Sequence, residues 1–135
     1  MKLLTRDTDY AIRALCYIAK AENSIVSVDE LVLALKIPKP FLRKILQILN
    51  KEKLLESFKG SKGGFRLVWS TKQITVLKVL EIFQGKLQLN ECTLRKQICS
   101  DTKVCLLRKK LNTIQDQVRR ELKNMSLASL IKNRG

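Results

Sequence analysis

Residues 27–51, SVDELVLALKIPKPFLRKILQILNK, predict two short helices joined by a tight turn. Ser27 and Glu30 have the spacing of a capping box, in which side chains satisfy the free amides at the start of a helix. Pro38 ends this first helix of the pair, because the residue before a proline avoids helical backbone angles. The second is predicted over about Lys39–Lys51. Two helices with a turn of about four residues between them have helix-turn-helix proportions.

The second helix of the pair has one apolar and one cationic face. Its predicted buried residues are Leu42, Ile45, Leu46 and Leu49. In a helix-turn-helix this helix enters the major groove of DNA. Arg43 and Gln47, one turn apart, are predicted to contact base edges, whereas Lys39, Lys44 and Lys51 are better placed for phosphates. The alternative is a basic face that is merely solvated.

A β-hairpin is predicted directly afterwards, in LLESFKGSKGGFRLVWS, residues 54–70. Side chains alternate from Phe65 to Trp69, which is the period of a strand, and glycines cluster at the turn. A hairpin that follows a helix-turn-helix is a wing. Its tip would present Lys59, Ser61 and Lys62 to the DNA backbone or the minor groove. This second basic element favours DNA binding over a solvated face.

The whole chain is strongly basic. Its 135 residues include 27 Lys and Arg against 12 Asp and Glu, a formal net charge of +15. Such an excess attracts polyanions through counterion release, so nucleic acid is the first candidate partner. A membrane surface is the second, but it would need a single basic amphipathic helix, and here the charge is spread over several elements. No signal peptide or membrane span is predicted, and we expect a cytoplasmic protein.

Two further classes of function are disfavoured. The chain has no histidine for acid–base chemistry and no phosphate-binding loop of the form G-x-x-x-x-G-K-[ST], so we do not expect an enzyme. Proteins that read single-stranded RNA usually carry aromatic stacking platforms. Aromatic residues make up only 5% of this chain and lie mostly at apolar-face positions. A DNA-binding protein remains the best interpretation.

Helical periodicity extends to both sides of this unit. A helix is predicted over residues 8–21, with Thr8 as its cap. Another is predicted over residues 74–84, with Thr75 as a cap and Gly85 as its end. The fold class is therefore mainly α with a small β-hairpin: a winged helix-turn-helix followed by a long C-terminal helix.

From Val104 onward, apolar residues recur every three or four positions in a long helix whose other faces are charged. A narrow apolar seam on one helix needs a partner, and a two-fold dimer is favoured over packing within the chain. The predicted dimer interface, called the seam below, is Leu107, Leu111, Ile114, Val118 and Leu122. Three regions result: a DNA-binding unit (1–85), a cysteine-bearing sensor loop (86–105), and a dimerisation helix with its tail (106–135).

Three of the four cysteines, Cys92, Cys99 and Cys105, lie close together with the spacing C-x6-C-x5-C. This spacing matches neither the paired CxxC knuckles of a zinc ribbon nor compact ferredoxin sequences. Thiolates nevertheless suit iron–sulfur chemistry. The spacing alone leaves cluster ligation and unliganded thiols about equally open. Cys16, on the first helix, is predicted to be a buried structural thiol.

Together these segments resemble the Rrf-type regulators, the IscR/NsrR-like winged-helix transcription factors. The resemblance covers nearly the whole chain. It is carried by TDYAIRALCYIA (8–19), IPKPFLRKILQILNKEKLL (37–55), SFKGSKGGFRL (57–67) and ITVLKVLEIFQG (74–85), followed by a three-cysteine loop and a long helix. It implies a homodimer, crossed through the long helix, that binds a near-palindromic operator in double-stranded DNA.

The resemblance also implies that Cys92, Cys99 and Cys105 ligate an iron–sulfur cluster whose state controls DNA binding. In NsrR-like members an aspartate in the TDYA stretch, here Asp9, supplies a fourth ligand from the other subunit. In IscR-like members that ligand is a histidine three residues after the last cysteine, where this chain has Arg108. The missing histidine favours a 4Fe–4S over a 2Fe–2S cluster. The first interval between cysteines has six residues, where these families usually have five.

The leading prediction is a homodimeric, sequence-specific DNA-binding transcription regulator. Its DNA affinity would be controlled by an iron–sulfur cluster that senses nitric oxide, redox stress, or iron and cluster status. The alternative is a winged-helix DNA-binding regulator without a cluster, in which the cysteine thiols act as a redox switch or have no sensory role.

Overall fold

The computed structural model describes residues 3–21, 24–88 and 102–132, with the side chains of the last segment described from Leu106 onward. The elements in chain order are α1 (Arg6–Lys20), α2 (Val28–Leu35), α3 (Lys39–Lys51), β1 (Leu55–Phe58), β2 (Gly64–Leu67), α4 (Val76–Gln84), α5 (Thr102–Asn124) and α6 (Leu127–Lys132). This is the predicted fold class, mainly α with one antiparallel hairpin.

The first helix begins earlier than predicted, at Arg6, because Thr5 and not Thr8 is its cap. The Thr5 hydroxyl accepts from the Thr8 amide at 3.4 Å. Thr8 itself is fully buried, and its hydroxyl donates to Gln84 Oε1 at 2.7 Å. The same Gln84 oxygen accepts from the Thr5 amide at 2.9 Å. These bonds tie the start of α1 to the end of α4.

The helix-turn-helix pair, α2 and α3, forms where the sequence predicts it. The Ser27 hydroxyl accepts from the Glu30 amide at 3.1 Å, which is half of the expected capping box. The Glu30 carboxylate instead accepts from the Tyr17 hydroxyl at 2.9 Å and so fastens α2 to α1. This hydrogen bond raises the pKa of Tyr17 above its usual value. Lys36, in the left-handed region at φ 57°, ends α2.

One apolar core holds α1, α2 and α3 together. Its fully buried leucines and isoleucines include Leu15, Leu31, Leu42, Ile45, Leu46, Leu49 and Leu54. Leu127 of α6 belongs to the same core and is also fully buried. The Leu127 amide donates to the Ile74 carbonyl at 2.9 Å, and Val76 donates to Met125 at 2.8 Å. The core of the predicted DNA-binding unit therefore includes a helix from the predicted C-terminal tail.

The wing consists of β1, β2 and the loop 59–63 between them. The strands pair from Leu55 with Leu67 to Phe58 with Gly64. Val26 adds a short third edge, since its amide and carbonyl both bond to Phe65, at 2.9 and 2.8 Å. A side chain at Gly64 would collide with the Val26 carbonyl oxygen, so this close approach requires glycine.

The second strand ends at Leu67, which corrects the prediction that strand geometry continues to Trp69. Trp69 lies beyond the hairpin, and its indole N–H donates to the Lys53 carbonyl at 2.8 Å. Its ring remains at the surface, with Lys78 Nζ 5.6 Å from its centre. Trp69 is therefore held by a side-chain hydrogen bond to the backbone of Lys53, and not by the strand pairing that the sequence pattern predicted.

The long helix α5 joins the winged unit through one half of its seam. Leu122 is 6% exposed in a small cluster with Val76, Leu77, Leu80 and Leu87, and Val118 packs at the edge of this cluster. Arg119 adds an ion pair to Glu81 at 3.6 Å. Toward the start of the helix, Leu107 and Ile114 are 59% and 47% exposed. The two halves of the seam thus have different surroundings, and Leu122 has little surface left for a second subunit.

Within the three described ranges, no helix is both long and apolar enough to cross a membrane.

Candidate nucleic-acid interface

The exposed side of α3 faces the wing across a groove of about 380 Å³. Lys39, Arg43 and Gln47, at intervals of four residues, line its α3 side. Ser61 lines the wing side, together with glycines of the wing loop. Four residues predicted from the sequence to bind DNA are therefore brought to one concave surface.

The other four predicted contacts surround this groove without lining it. Lys44 and Lys51 are exposed on α3, and Lys59 and Lys62 are exposed on the wing loop. A band of four ammonium groups in these positions gives the face a positive field, which suits a polyanion larger than the groove itself. The predicted contacts thus form two groups. One lines the groove and includes Arg43 and Gln47, and the other consists of the four lysines around it.

One acidic residue in the groove was not anticipated. Asp29, in the first turn of α2, also lines the groove and forms an ion pair with Lys39 Nζ at 2.9 Å. Both side chains are more than half exposed, so the pair contributes at most about 1 kcal/mol to stability. The ion pair acts locally, because Asp29 partly balances the charge of Lys39. Arg43 lines the groove beside this pair.

The wing is stiffened by an interaction across its two strands. Arg66 Nη2 lies 3.1 Å from Glu56 Oε2, and these two residues are direct partners in the strand register. The Arg66 guanidinium also lies 5.0 Å from the centre of the Phe58 ring. Because Phe58 lines the groove, this stack lies at the wall of the groove opposite α3.

The predicted metal ligands are only partly within the described residues. Asp9 lies on the surface of α1, where its Oδ2 is 3.2 Å from Arg13 Nε. Cys92 and Cys99 lie outside the described residues, and for Cys105 only the backbone is described, in the first turn of α5. Among the described side chains, no three His, Cys, Asp or Glu residues are grouped as a metal site.

Cys16 differs from its prediction, because it is half-buried and not fully enclosed. It packs against the main core and lines a cavity of about 430 Å³ between α1, α2 and α6. The cavity walls are mostly apolar, with Leu35, Leu130 and Ile131 among them. The thiol is thus part of a packed surface, away from the groove beside the wing.

A helix-turn-helix with a basic second helix and an adjacent basic wing defines a winged-helix protein of the nucleic-acid-binding type. The model of one such family, Rrf2, described as an iron-dependent transcriptional regulator, matches residues 4–133. The chain belongs to this family, and it is a transcriptional regulator, as the resemblance in its sequence implied.

Two curated relatives agree with this assignment. A provisionally named HTH-type transcriptional regulator of Aquifex aeolicus is 32% identical over 124 residues, covering 90% of this chain and 86% of the relative. The HTH-type transcriptional regulator NsrR of Geobacillus kaustophilus is 31% identical over 133 residues, covering 97% of this chain and 90% of the relative. Both are named as regulators, which confirms the prediction that the protein is not an enzyme.

The fold is also found in solved structures. The structure of CymR, the global cysteine regulator of B. subtilis, superposes with a TM-score of 0.80 and covers 98% of each chain. The two sequences are 18% identical, so this similarity concerns the fold alone. It confirms the predicted winged-helix architecture with its long C-terminal helix.

Proposed function

We propose that the protein is a cytoplasmic, homodimeric regulator that binds a near-palindromic operator through α3 and the wing. The groove in which Arg43 and Gln47 of α3 face Ser61 of the wing carries this proposal. An α-helix fits the major groove of B-DNA, and a basic element beside it reaches the neighbouring backbone. Membership of a family of transcriptional regulators supports the same function.

The residues of the interface have different roles in this proposal. Arg43 and Gln47 read base edges, because Arg pairs with guanine and Gln with adenine through two hydrogen bonds each. Lys44, Lys51, Lys59 and Lys62 bind phosphates, which fix the position of the protein on the duplex. Lys39 also binds a phosphate, and to do so it must exchange its ion pair with Asp29 for one with the phosphate.

The dimer is proposed to form through the exposed half of the seam. Leu107 and Ile114 are 59% and 47% exposed, and Leu111 lies between them on the same stripe of α5. Apolar side chains in such a row gain about 25 cal/mol for each Å² removed from water. Pairing two copies by a two-fold axis would also place two α3 helices on one duplex, as a near-palindromic operator requires.

The sensor is proposed to be an iron–sulfur cluster held by Cys92, Cys99 and Cys105, with Asp9 of the other subunit as the fourth ligand. Three thiols and one carboxylate, in a chain with no histidine, are a donor set that suits iron. The resemblance favours 4Fe–4S over 2Fe–2S, because the histidine of IscR-like members is missing here. When bound, the cluster supplies a centre that reacts with nitric oxide and oxidants. The description of the family as iron-dependent supports this cofactor.

The surroundings of Asp9 suggest how the cluster would be coupled to DNA binding. To ligate iron, its carboxylate has to share or exchange its ion pair with Arg13, 3.2 Å away. It lies next to Thr8, whose bond to Gln84 ties α1 to α4. Ligation across the dimer would therefore bias the position of the whole winged unit.

This role of Asp9 is tested with two variants. Asp9→Ala should fold normally but hold a less stable cluster. Arg13→Ala, which removes the same ion pair and leaves the carboxylate, should keep the cluster. Unchanged cluster spectra and stability in Asp9→Ala would remove Asp9 from the site.

A second candidate function is that of a DNA-binding regulator without an iron–sulfur cluster. The observation that favours it is the spacing of Cys92 and Cys99, which have six residues between them where the resemblance implies five. In this case the thiols form a redox switch or have no sensory role.

Anaerobic purification, followed by absorption spectroscopy with iron and sulfide counts, separates the two candidates. The cluster proposal expects cluster absorption with about four irons and four sulfides per subunit. Cys99→Ser should lose both, whereas Cys16→Ser, the same change at a half-buried residue packed against the main core, should keep both. The same preparations are then titrated onto a duplex selected from a random pool, with and without cluster. Iron-free wild-type protein with full, redox-dependent DNA affinity would favour the thiol switch.

A further inference from the structure

A cation from another helix stands beside the first turn of α3. The guanidinium carbon of Arg6, at the start of α1, lies 4.7 Å from the centre of the Phe41 ring. The Arg6 side chain is 61% exposed, and Phe41 is 43% exposed. The stacked pair therefore lies at the surface, in contact with solvent, next to the helix that the proposed function assigns to the major groove.

The pair lies on the side of α3 that faces away from the wing. Each residue of an α-helix turns by about 100°, so Phe41, two residues from Lys39 and two residues from Arg43, points about 160° away from each of them. Lys39 and Arg43 line the groove beside the wing. A helix in the major groove has a phosphate backbone on each side. The wing lies toward one backbone, and Arg6 lies toward the other.

We infer that Arg6 is a phosphate contact, held in position by Phe41, on the side of α3 opposite the wing. The inference rests on the proposed binding of DNA by α3. A guanidinium that stacks by its face keeps N–H donors at its edge, where a phosphate can accept them. The carboxylate of Asp7 is 4.0 Å from Arg6 Nε, at the limit of an ion pair, so most of the Arg6 charge remains available to DNA.

The test measures the salt dependence of binding to a fluorescent duplex of random sequence, about 40 base pairs long. Each phosphate contact changes affinity by about 3.5-fold between about 50 and 200 mM salt. Between these two salt concentrations, Arg6→Gln should lose less affinity than the wild type, by a factor of about 3.5 for each Arg6 in contact with a phosphate. Arg120→Gln makes the same change of charge on an exposed position of α5 and should leave the loss unchanged.

The role of Phe41 is tested by a double-mutant cycle. Phe41→Leu keeps every charge and removes the ring, at a residue that is only partly buried. Arg6→Gln should then weaken binding less in the Phe41→Leu background than in the wild type, because the guanidinium is no longer held. Equal effects in both backgrounds would contradict positioning by Phe41. Matching circular dichroism melts establish that the variants are folded.

Lys59→Gln on the wing separates a failure of this inference from a failure of the proposed function. If Lys59→Gln lowers the salt dependence and Arg6→Gln does not, DNA binding stands and the contact at Arg6 is refuted. If both variants bind as the wild type does, the proposed interface of α3 and the wing fails together with the inference.

Discussion

The helices α3 and α5 are both amphipathic, but only α3 has its whole predicted buried face covered within one chain. The four residues of its predicted buried face, Leu42, Ile45, Leu46 and Leu49, are each at most 1% exposed. In α5, Leu122 is covered by α4, whereas Leu107 and Ile114 remain about half exposed among the described residues. The surface proposed to read DNA is thus complete in one subunit, whereas half of the seam of α5 stays uncovered, as the proposed dimer requires.

The difference follows from what each helix meets. α3 packs against α1, α2 and β1, and this packing covers its predicted buried face while its basic face stays exposed. α5 packs against α4 through its C-terminal half. Packing on three elements suits a base-reading helix, because a hydrogen bond to a base edge depends on position. An uncovered seam on α5 is what an isologous dimer interface needs.

The largest effect is expected from truncating the buried face of α3. Leu46→Ala should lower the free energy of unfolding by about 2–5 kcal/mol, because it leaves a cavity in the main core. Leu107→Ala, the same truncation at a residue that is 59% exposed, should cost a dilute subunit less than about 1 kcal/mol. Urea unfolding measures both values, and equal losses would remove the contrast between α3 and α5.

A change in the exposed half of the seam should act on the dimer. Ile114→Ser should weaken dimerisation by about 1.5–3 kcal/mol for each copy, because an apolar contact is lost from both subunits. Lys109→Ser, on the opposite side of α5, is the control and should leave the dimer intact. Sedimentation equilibrium gives the dissociation constants. A dimer that tolerates Ile114→Ser would place the interface elsewhere.

A smaller effect is expected in the wing. Gly64→Ala should destabilise it by about 1–3 kcal/mol, because the new methyl group collides with the Val26 carbonyl. The amides of Val26 and Phe65, which bond to each other's carbonyls, should exchange hydrogen faster. Gly60→Ala meets no atom within 4 Å and strains only the tip of the wing, through its φ of 108°, so those two amides should stay protected. Protection unchanged in Gly64→Ala would show that the wing does not depend on this close approach.

The sequence predicts best where the signal is local. The bounds of α3, Lys39–Lys51, follow from its own apolar period, and the caps Ser27 and Thr75 are where short-range spacing puts them. The start of α1 was misjudged because Thr8 is bonded to Gln84, a residue far along the chain. No local pattern reports such a contact.

Prediction from the sequence has the same limit at the candidate site, where contacts between different helices leave no local pattern. Arg43 and Gln47 were predicted from the exposed face of one helix, and the structure brings them to the groove. The pair of Asp29 with Lys39 and the stack of Arg6 on Phe41 join different helices, so they were missed. An acidic residue beside a cap and an aromatic on a basic helix are the only traces of them in the sequence.

The most direct test of the account compares Arg43→Ala with Lys59→Ala on two duplexes, one selected from a random pool and one of random sequence. We expect Arg43→Ala to cost about 1–3 kcal/mol on the selected duplex, at one base position, with little loss on the random one. Lys59→Ala should weaken binding to both duplexes alike. Equal losses on both duplexes for Arg43→Ala would contradict the claim that α3 reads the sequence of DNA.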